Sequence, residues 1–204
     1  FTVEGDVAKQ KDLLWANAAN KKKADNPVKF TFNHALAKIG YTVKLKEAYS
    51  NATITLNKIT LAGSADGKTS AFYTSGTIDL SKTSSTDLWT TLSSDAKQNF
   101  NWFSGTQKLD GTYNTPETNY LFVIPQNFSA PATDELYVIV EYTIKYSGGS
   151  ETVTTTNIVN KKLEKNFEQG KAYTINLTIG LTPIDFDADV TAWADGGNED
   201  ITWN

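Results

Sequence analysis

The chain has 204 residues, a formal net charge of -4 and a pI near 5.1, so it carries no electrostatic attraction for phosphate backbones or anionic lipid. All 19 basic residues are lysine, which removes the planar guanidinium fork used in bidentate phosphate and guanine contacts, and nucleic acid is excluded as a partner. Cysteine is absent, and with it any disulfide framework, thiolate metal site or cysteine nucleophile.

Phe1 to Asn26 is polar, contains Lys21-Lys22-Lys23 and ends at Asn26-Pro27, a dipeptide that favours a turn. It reads as a short strand plus an exposed connector, which divides the chain into a segment 1–26 and a β domain 27–204. A chain without methionine that opens on phenylalanine reads as processed, with a leader or upstream domain removed.

From Val28 to Leu45 two alternating apolar patterns disagree in phase. Val28, Phe30, Phe32 and Leu36 share even parity, whereas Ile39, Tyr41, Val43 and Leu45 share odd parity. Side chains on a strand alternate faces, so keeping both sets in one core requires a bulge or corner between Leu36 and Ile39. His34, the lone histidine, falls on the inward parity before that corner. A second phase change, from Ile54 and Leu56 to Ile59 and Leu61, predicts another bulge near Asn57 and Lys58.

Gly63 to Gly67 supplies a turn, and Thr69 to Leu80 reads as a strand or hairpin around Gly76. Ser84 to Phe103 breaks the β pattern: Thr86 could cap a short helix with Leu88, Trp89 and Leu92 on one face. The aromatic group Phe100, Trp102 and Phe103 follows it. Asn119 to Pro125 reads as a buried central strand. Glu135–Tyr146 and Glu151–Asn160, joined by Ser147-Gly148-Gly149-Ser150, form the clearest hairpin in the chain. Tyr173–Ile179 and Ile184–Ala192 alternate as amphipathic strands, and Ile201-Thr202-Trp203-Asn204 is short enough for an edge strand. Roughly eight to ten strands with local hairpins and little helix give an all-β fold, an antiparallel Greek-key β-sandwich with a short helical insertion.

Few residues suggest chemistry. His34 sits in an apolar run without a nucleophile elbow or a metal-spaced partner, so a structural role outweighs a catalytic one, and no enzyme activity is expected. Asp185, Asp187 and Asp189 project from one strand face about 6–7 Å apart, too spread for a calcium cage, and read as a solvated edge. Asp195, Glu199 and Asp200 form the one alternative cation cluster. No cofactor is implied. Trp102 and Phe103 are the candidates for stacking on a sugar ring, against the alternative that they plug the end of the sandwich. Ile201 and Trp203 alternate as a donor strand would, against the alternative that they complete their own sheet.

Several motifs in order resemble one family. Phe32-Asn33-His34-Ala35-Leu36-Ala37-Lys38-Ile39 resembles the F-x-H-A-L-A-K-I signature of Bacteroidales fimbrillin-like proteins, the pilus subunits and pilus-like surface lipoproteins of Gram-negative anaerobes. Lys11-Asp12-Leu13-Leu14-Trp15-Ala16 is similar to that family's lead-in, Tyr120-Leu121-Phe122-Val123-Ile124-Pro125-Gln126 to its central strand, and Gly170–Leu177 with Val190-Thr191-Ala192-Trp193 to its closing strands. The resemblance implies a transthyretin-like sandwich and a structural role in a pilus, or as a pilus-associated adhesin, at the outer membrane. It implies assembly with other pilus subunits by strand exchange, with Ile201 and Trp203 in the donor strand. It further implies a host glycan or protein receptor, and membrane attachment only through a lipid anchor on an upstream segment. Residues 1–26 would then be the tail of a missing N-terminal domain, leaving Val3 and Val7 without native partners. A glycan-binding surface module using Trp102 and Phe103 is the alternative function.

Overall fold

A computed structural model describes residues 1–18, 20–22, 28–82, 88–92, 97–112, 120–130, 133–147, 152–181, 189–192 and 199–202, the last two stretches by their backbone. After a 3-10 turn at Val7–Lys9, the chain forms β1 (Leu14–Trp15), β2 (Asn33–His34), β3 (Ala37–Leu45), β4 (Ala52–Ala62), β5 (Phe72–Tyr73) and β6 (Gly76–Ile78). It continues through β7 (Trp89–Leu92), β8 (Lys97–Gln98), β9 (Phe100–Lys108), β10 (Leu121–Val123), β11 (Gln126–Asn127) and β12 (Tyr137–Ser147). The last strands are β13 (Thr152–Lys162), β14 (Asn166–Phe167), β15 (Lys171–Ile179), β16 (Asp189–Ala192) and β17 (Glu199–Thr202).

Two sheets make the sandwich. One runs β13-β12-β4-β9 and is antiparallel throughout. The other runs β10-β3-β15, with β16 and β17 on the remaining edge of β15. This second sheet is mixed, because β15 pairs parallel with β3 and with β17 and antiparallel with β16. A parallel pair needs a crossover rather than a hairpin. Here 125 residues of sequence separate Leu45 from Lys171, and the whole first sheet is built within that crossover.

The core lies between the sheets. Ile39, Tyr41, Val43 and Leu45 of β3 and Tyr173, Ile175, Leu177 and Ile179 of β15 are buried with Ile54, Leu56, Ile59 and Leu61 of β4 and Val138, Val140, Tyr142 and Ile144 of β12. Each such aliphatic side chain contributes about 1.5–3 kcal/mol by leaving water. Trp102 of β9 crosses between the sheets to meet Tyr41 edge-on, with centroids 4.8 Å apart and ring planes at 75°. At one end, Phe72, Phe100, Phe128, Phe167 and Tyr173 pack ring to ring, from five separate strands and loops.

The bulge near Asn57 is present: Leu56 faces Tyr142 and Lys58 faces Glu141, leaving Asn57 as the extra residue. Its side-chain amide donates to the Thr143 hydroxyl at 2.7 Å, which holds the bulge on the solvent side. The hairpin of β12 and β13 pairs in register from Tyr137–Lys162 to Ser147–Thr152. The break before β3 falls at Ala35–Leu36, ahead of the expected interval, and β3 pairs regularly with β10 from Ala37 to Ile39, so no bulge lies between Leu36 and Ile39. Phe30 is 57% and Phe32 66% exposed, and Val28 is exposed as well, so the even-parity set before the corner stays out of the core. Leu36 alone of that set is buried.

Four further expectations are corrected. Trp89 to Leu92 is strand β7, paired with β6, so the residues assigned to the helical insertion extend a small ribbon instead; Thr86 lies outside the described residues. Gly76 sits within that ribbon and not at a hairpin tip. A Cβ at Gly76 would lie 2.8 Å from the Trp89 ring, so glycine is required by the indole. β10 is an edge strand of its sheet rather than a central one. Val3 is buried in the main core, its amide donating to the Thr74 carbonyl at 2.7 Å, and Val7 packs against the same core, so neither lacks partners.

Candidate functional site

The feature that sets this sandwich apart is the far edge of β15. On its other side β15 is matched by β3 over Ala172 to Ile179. On the far side two four-residue strands share the edge end to end. β16 runs antiparallel along Lys171–Thr174, and β17 runs parallel along Ile175–Thr178, with Ile201 opposite Leu177. The direction of pairing therefore reverses between Thr174 and Ile175.

β15 is buried on both faces. Its core face carries Tyr173, Ile175, Leu177 and Ile179, and its other face carries buried Asn176 and Thr178. Buried polar groups need partners. The Thr42 hydroxyl donates to Asn176 Oδ1 at 2.5 Å, directly across the β3–β15 pair. Tyr173 starts the strand from a clamped turn: its hydroxyl donates to the Asn166 carbonyl at 3.0 Å and accepts the Glu168 amide at 2.6 Å. Burial pushes the Tyr173 phenol up to about 12.

The expected site residues are distributed unevenly around this edge. Ile201 lies on β17, and Trp203 lies outside the described residues. Trp102 is 2% exposed, so it is a core residue and the reading of it as a sugar platform is corrected; Phe103 is half-buried against the same core. Of the aspartate row, Asp189 opens β16, while Asp185 and Asp187 lie outside the described residues, as does Asp195. Glu199 and Asp200 belong to β17. Among the described residues no group of three or more His, Asp or Glu side chains could hold a metal ion.

His34 is not core-facing. Its Nδ1 lies 2.5 Å from Asp12 Oδ2, so it ties β2 to the lead-in segment, with Ala35 donating to the Leu13 carbonyl at 2.8 Å beside it. Sequence parity missed this contact because β2 ends at His34 itself, before the buried run of Ala35 to Ala37 begins. The aromatic plug was also missed, because its five rings come from five elements with no shared local pattern.

Fold and edge together define an all-β sandwich whose second sheet is completed by short strands from the end of the chain. The chain belongs to the fimbrillin-like family, whose model matches residues 1–193. A fimbrial protein from Bacteroides vulgatus shares the fold at a TM-score of 0.55 and 20% identity, over 89% of this chain and 59% of that one. A putative cell adhesion protein from Bacteroides ovatus matches over 100% of this chain and 63% of its own, at 14% identity and a TM-score of 0.36, too low to define a common fold. The chain thus spans about three-fifths of the length of the solved structures that it matches. No curated protein matches it significantly in sequence.

Proposed function

We propose that this chain is a structural subunit of a pilus-type fibre on the bacterial cell surface, that it joins other subunits through β-strand exchange at the β15 edge, and that it has no catalytic role. The observation that carries the reading is the division of that edge between β16 and β17. Ordering each tail residue costs about 1–2 kcal/mol of backbone entropy, and two four-residue pieces of opposite direction need a connection that reverses the chain between them. One continuous strand from a neighbouring subunit would meet the same donors and acceptors without that connection. Edge hydrogen bonds would then supply affinity, and alternating side chains would supply register.

In this account the segment containing Ile201 and Trp203 leaves its own subunit to act as the donor strand in the next. Family membership supports the surface location and the structural role. The test is size-exclusion chromatography with light scattering, with and without a synthetic peptide spanning Asp195 to Asn204. Strand exchange gives concentration-dependent oligomers that the peptide caps or dissociates. A monomer that ignores the peptide at every concentration would sink assembly by this tail.

A further inference from the structure

A cleft of about 390 Å³ is lined by residues of β7, β11 and β14 and the segments next to them. That volume lies near the lower end of the about 300–1,000 Å³ typical of small-ligand sites. The lining combines apolar Trp89, Leu92 and Pro125 with the amide side chains of Asn127, Asn166 and Gln169. From these groups we propose that the cleft binds a neutral pyranose, such as a terminal sugar of a surface glycan. The proposal is independent of strand exchange at β15.

Trp89, Phe167, Asn127 and the turn after Asn166 are each held by contacts outside the cleft. The Trp89 indole donates from Nε1 to the Ala35 carbonyl at 2.8 Å, and its six-membered ring rests against Gly76, where a Cβ would lie 2.8 Å away. Phe167, at the bottom of the cleft, is locked into the aromatic plug against Phe128 and Tyr173. Asn127 and Asn166 stand directly opposite each other in the β11–β14 pair, so their side chains share a face. The turn that carries Asn166 and Gln169 is the one clamped by the Tyr173 hydroxyl. Asn127 Oδ1 accepts the Ser129 amide at 2.9 Å, which fixes its side chain and directs its NH₂ group elsewhere.

These features select a ligand class. A fixed indole stacks on the C–H face of a sugar ring, and carboxamides both donate and accept, which suits vicinal hydroxyls. Glu168, the one charged side chain among the described residues of the lining, is paired with Lys171 at 2.6 Å. Among its described residues the cleft therefore offers neither a spare cation for an acidic sugar or phosphate nor a spare carboxylate for a basic ligand. Trp89 supplies the platform that buried Trp102 cannot.

The test is ¹H–¹⁵N NMR on the intact chain, titrated separately with chitotriose, mannotriose and lactose to about 10 mM, a range that covers weak single-site affinity. At least one sugar should give saturable shifts at the Trp89 indole N–H and the Asn127 and Asn166 side-chain amides. Trp89→Ala would disturb the ribbon, so exposed Asn166→Ala and half-buried Gln169→Ala are the informative variants, each expected to weaken binding about tenfold while leaving the remaining spectrum in place. The proposal is overturned if all three sugars fail to shift these signals, if the shifts map elsewhere, or if both variants bind as the parent does. Tighter binding of 3′-sialyllactose than of lactose would overturn the neutral class.

Discussion

The β13-β12-β4-β9 sheet and the β10-β3-β15 sheet face each other across one core, yet they are finished in different ways. In the first, three strands of nine to eleven residues and an eleven-residue hairpin partner pair over nearly their whole lengths. Its outer strand β13 ends in Lys161 and Lys162 and is rich in threonine and asparagine, a composition that discourages edge-to-edge association. In the second, the strands come from distant parts of the chain, and the far edge of β15 is covered by two short pieces. The difference separates two jobs. The first sheet is a scaffold with a protected edge, and the second holds the strand at which we propose exchange.

Breaking the contact between the sheets should have the largest effect. Trp102→Ala removes the ring that spans them and should cost about 3–5 kcal/mol in denaturant unfolding, whichever sheet is probed. Next comes alkaline pH. The Tyr173 phenol titrates near 10.0 when unfolded and at about 12 when buried, so its contribution is fully present below pH 10 and is lost as pH rises to 12. At about 1.4 kcal/mol per unit the loss is about 2–3 kcal/mol, and Tyr173→Phe should flatten that part of the stability profile.

A smaller and more local effect is expected within the second sheet. Asn176→Ala strips the buried Thr42 hydroxyl of its partner and should cost about 1–3 kcal/mol, whereas Thr156→Val on the exposed face of β13 should stay within about 0.5 kcal/mol. Equal costs at the two positions would break the distinction between the sheets. Asp12→Ala, which removes the part-exposed contact to His34, should cost about 1 kcal/mol or less, with the difference reading how firmly the lead-in segment is tied to the sandwich.

Much of the scaffold was legible in the sequence because its signals are local. The β12–β13 hairpin follows from alternation along Glu135–Tyr146 and a glycine-pair turn after it, and the bulge at Asn57 follows from a parity change within one strand. Parity failed at Val28, Phe30 and Phe32, where an apolar alternation lies outside the core, because periodicity reports which residues share a face and not what covers that face. Trp102 left two readings open, a sugar platform or a plug of the sandwich, and burial favours packing: the β9 strand turns that ring inward onto Tyr41. The β15 edge and the Trp89 cleft depend on pairings between residues that no local pattern connects, so neither could be assembled from the sequence.

The most direct test of the replaceable edge is hydrogen exchange on the intact chain, with and without excess peptide spanning residues 189–204. The account predicts that the peptide removes protection from the chain's own residues 189–192 and 199–202, leaves β15 protected by its new partner, and does not change β12 or β13. Unchanged protection in 189–192 and 199–202 at saturating peptide would show that the tail is a permanent part of its own sheet, and would contradict strand exchange at this edge.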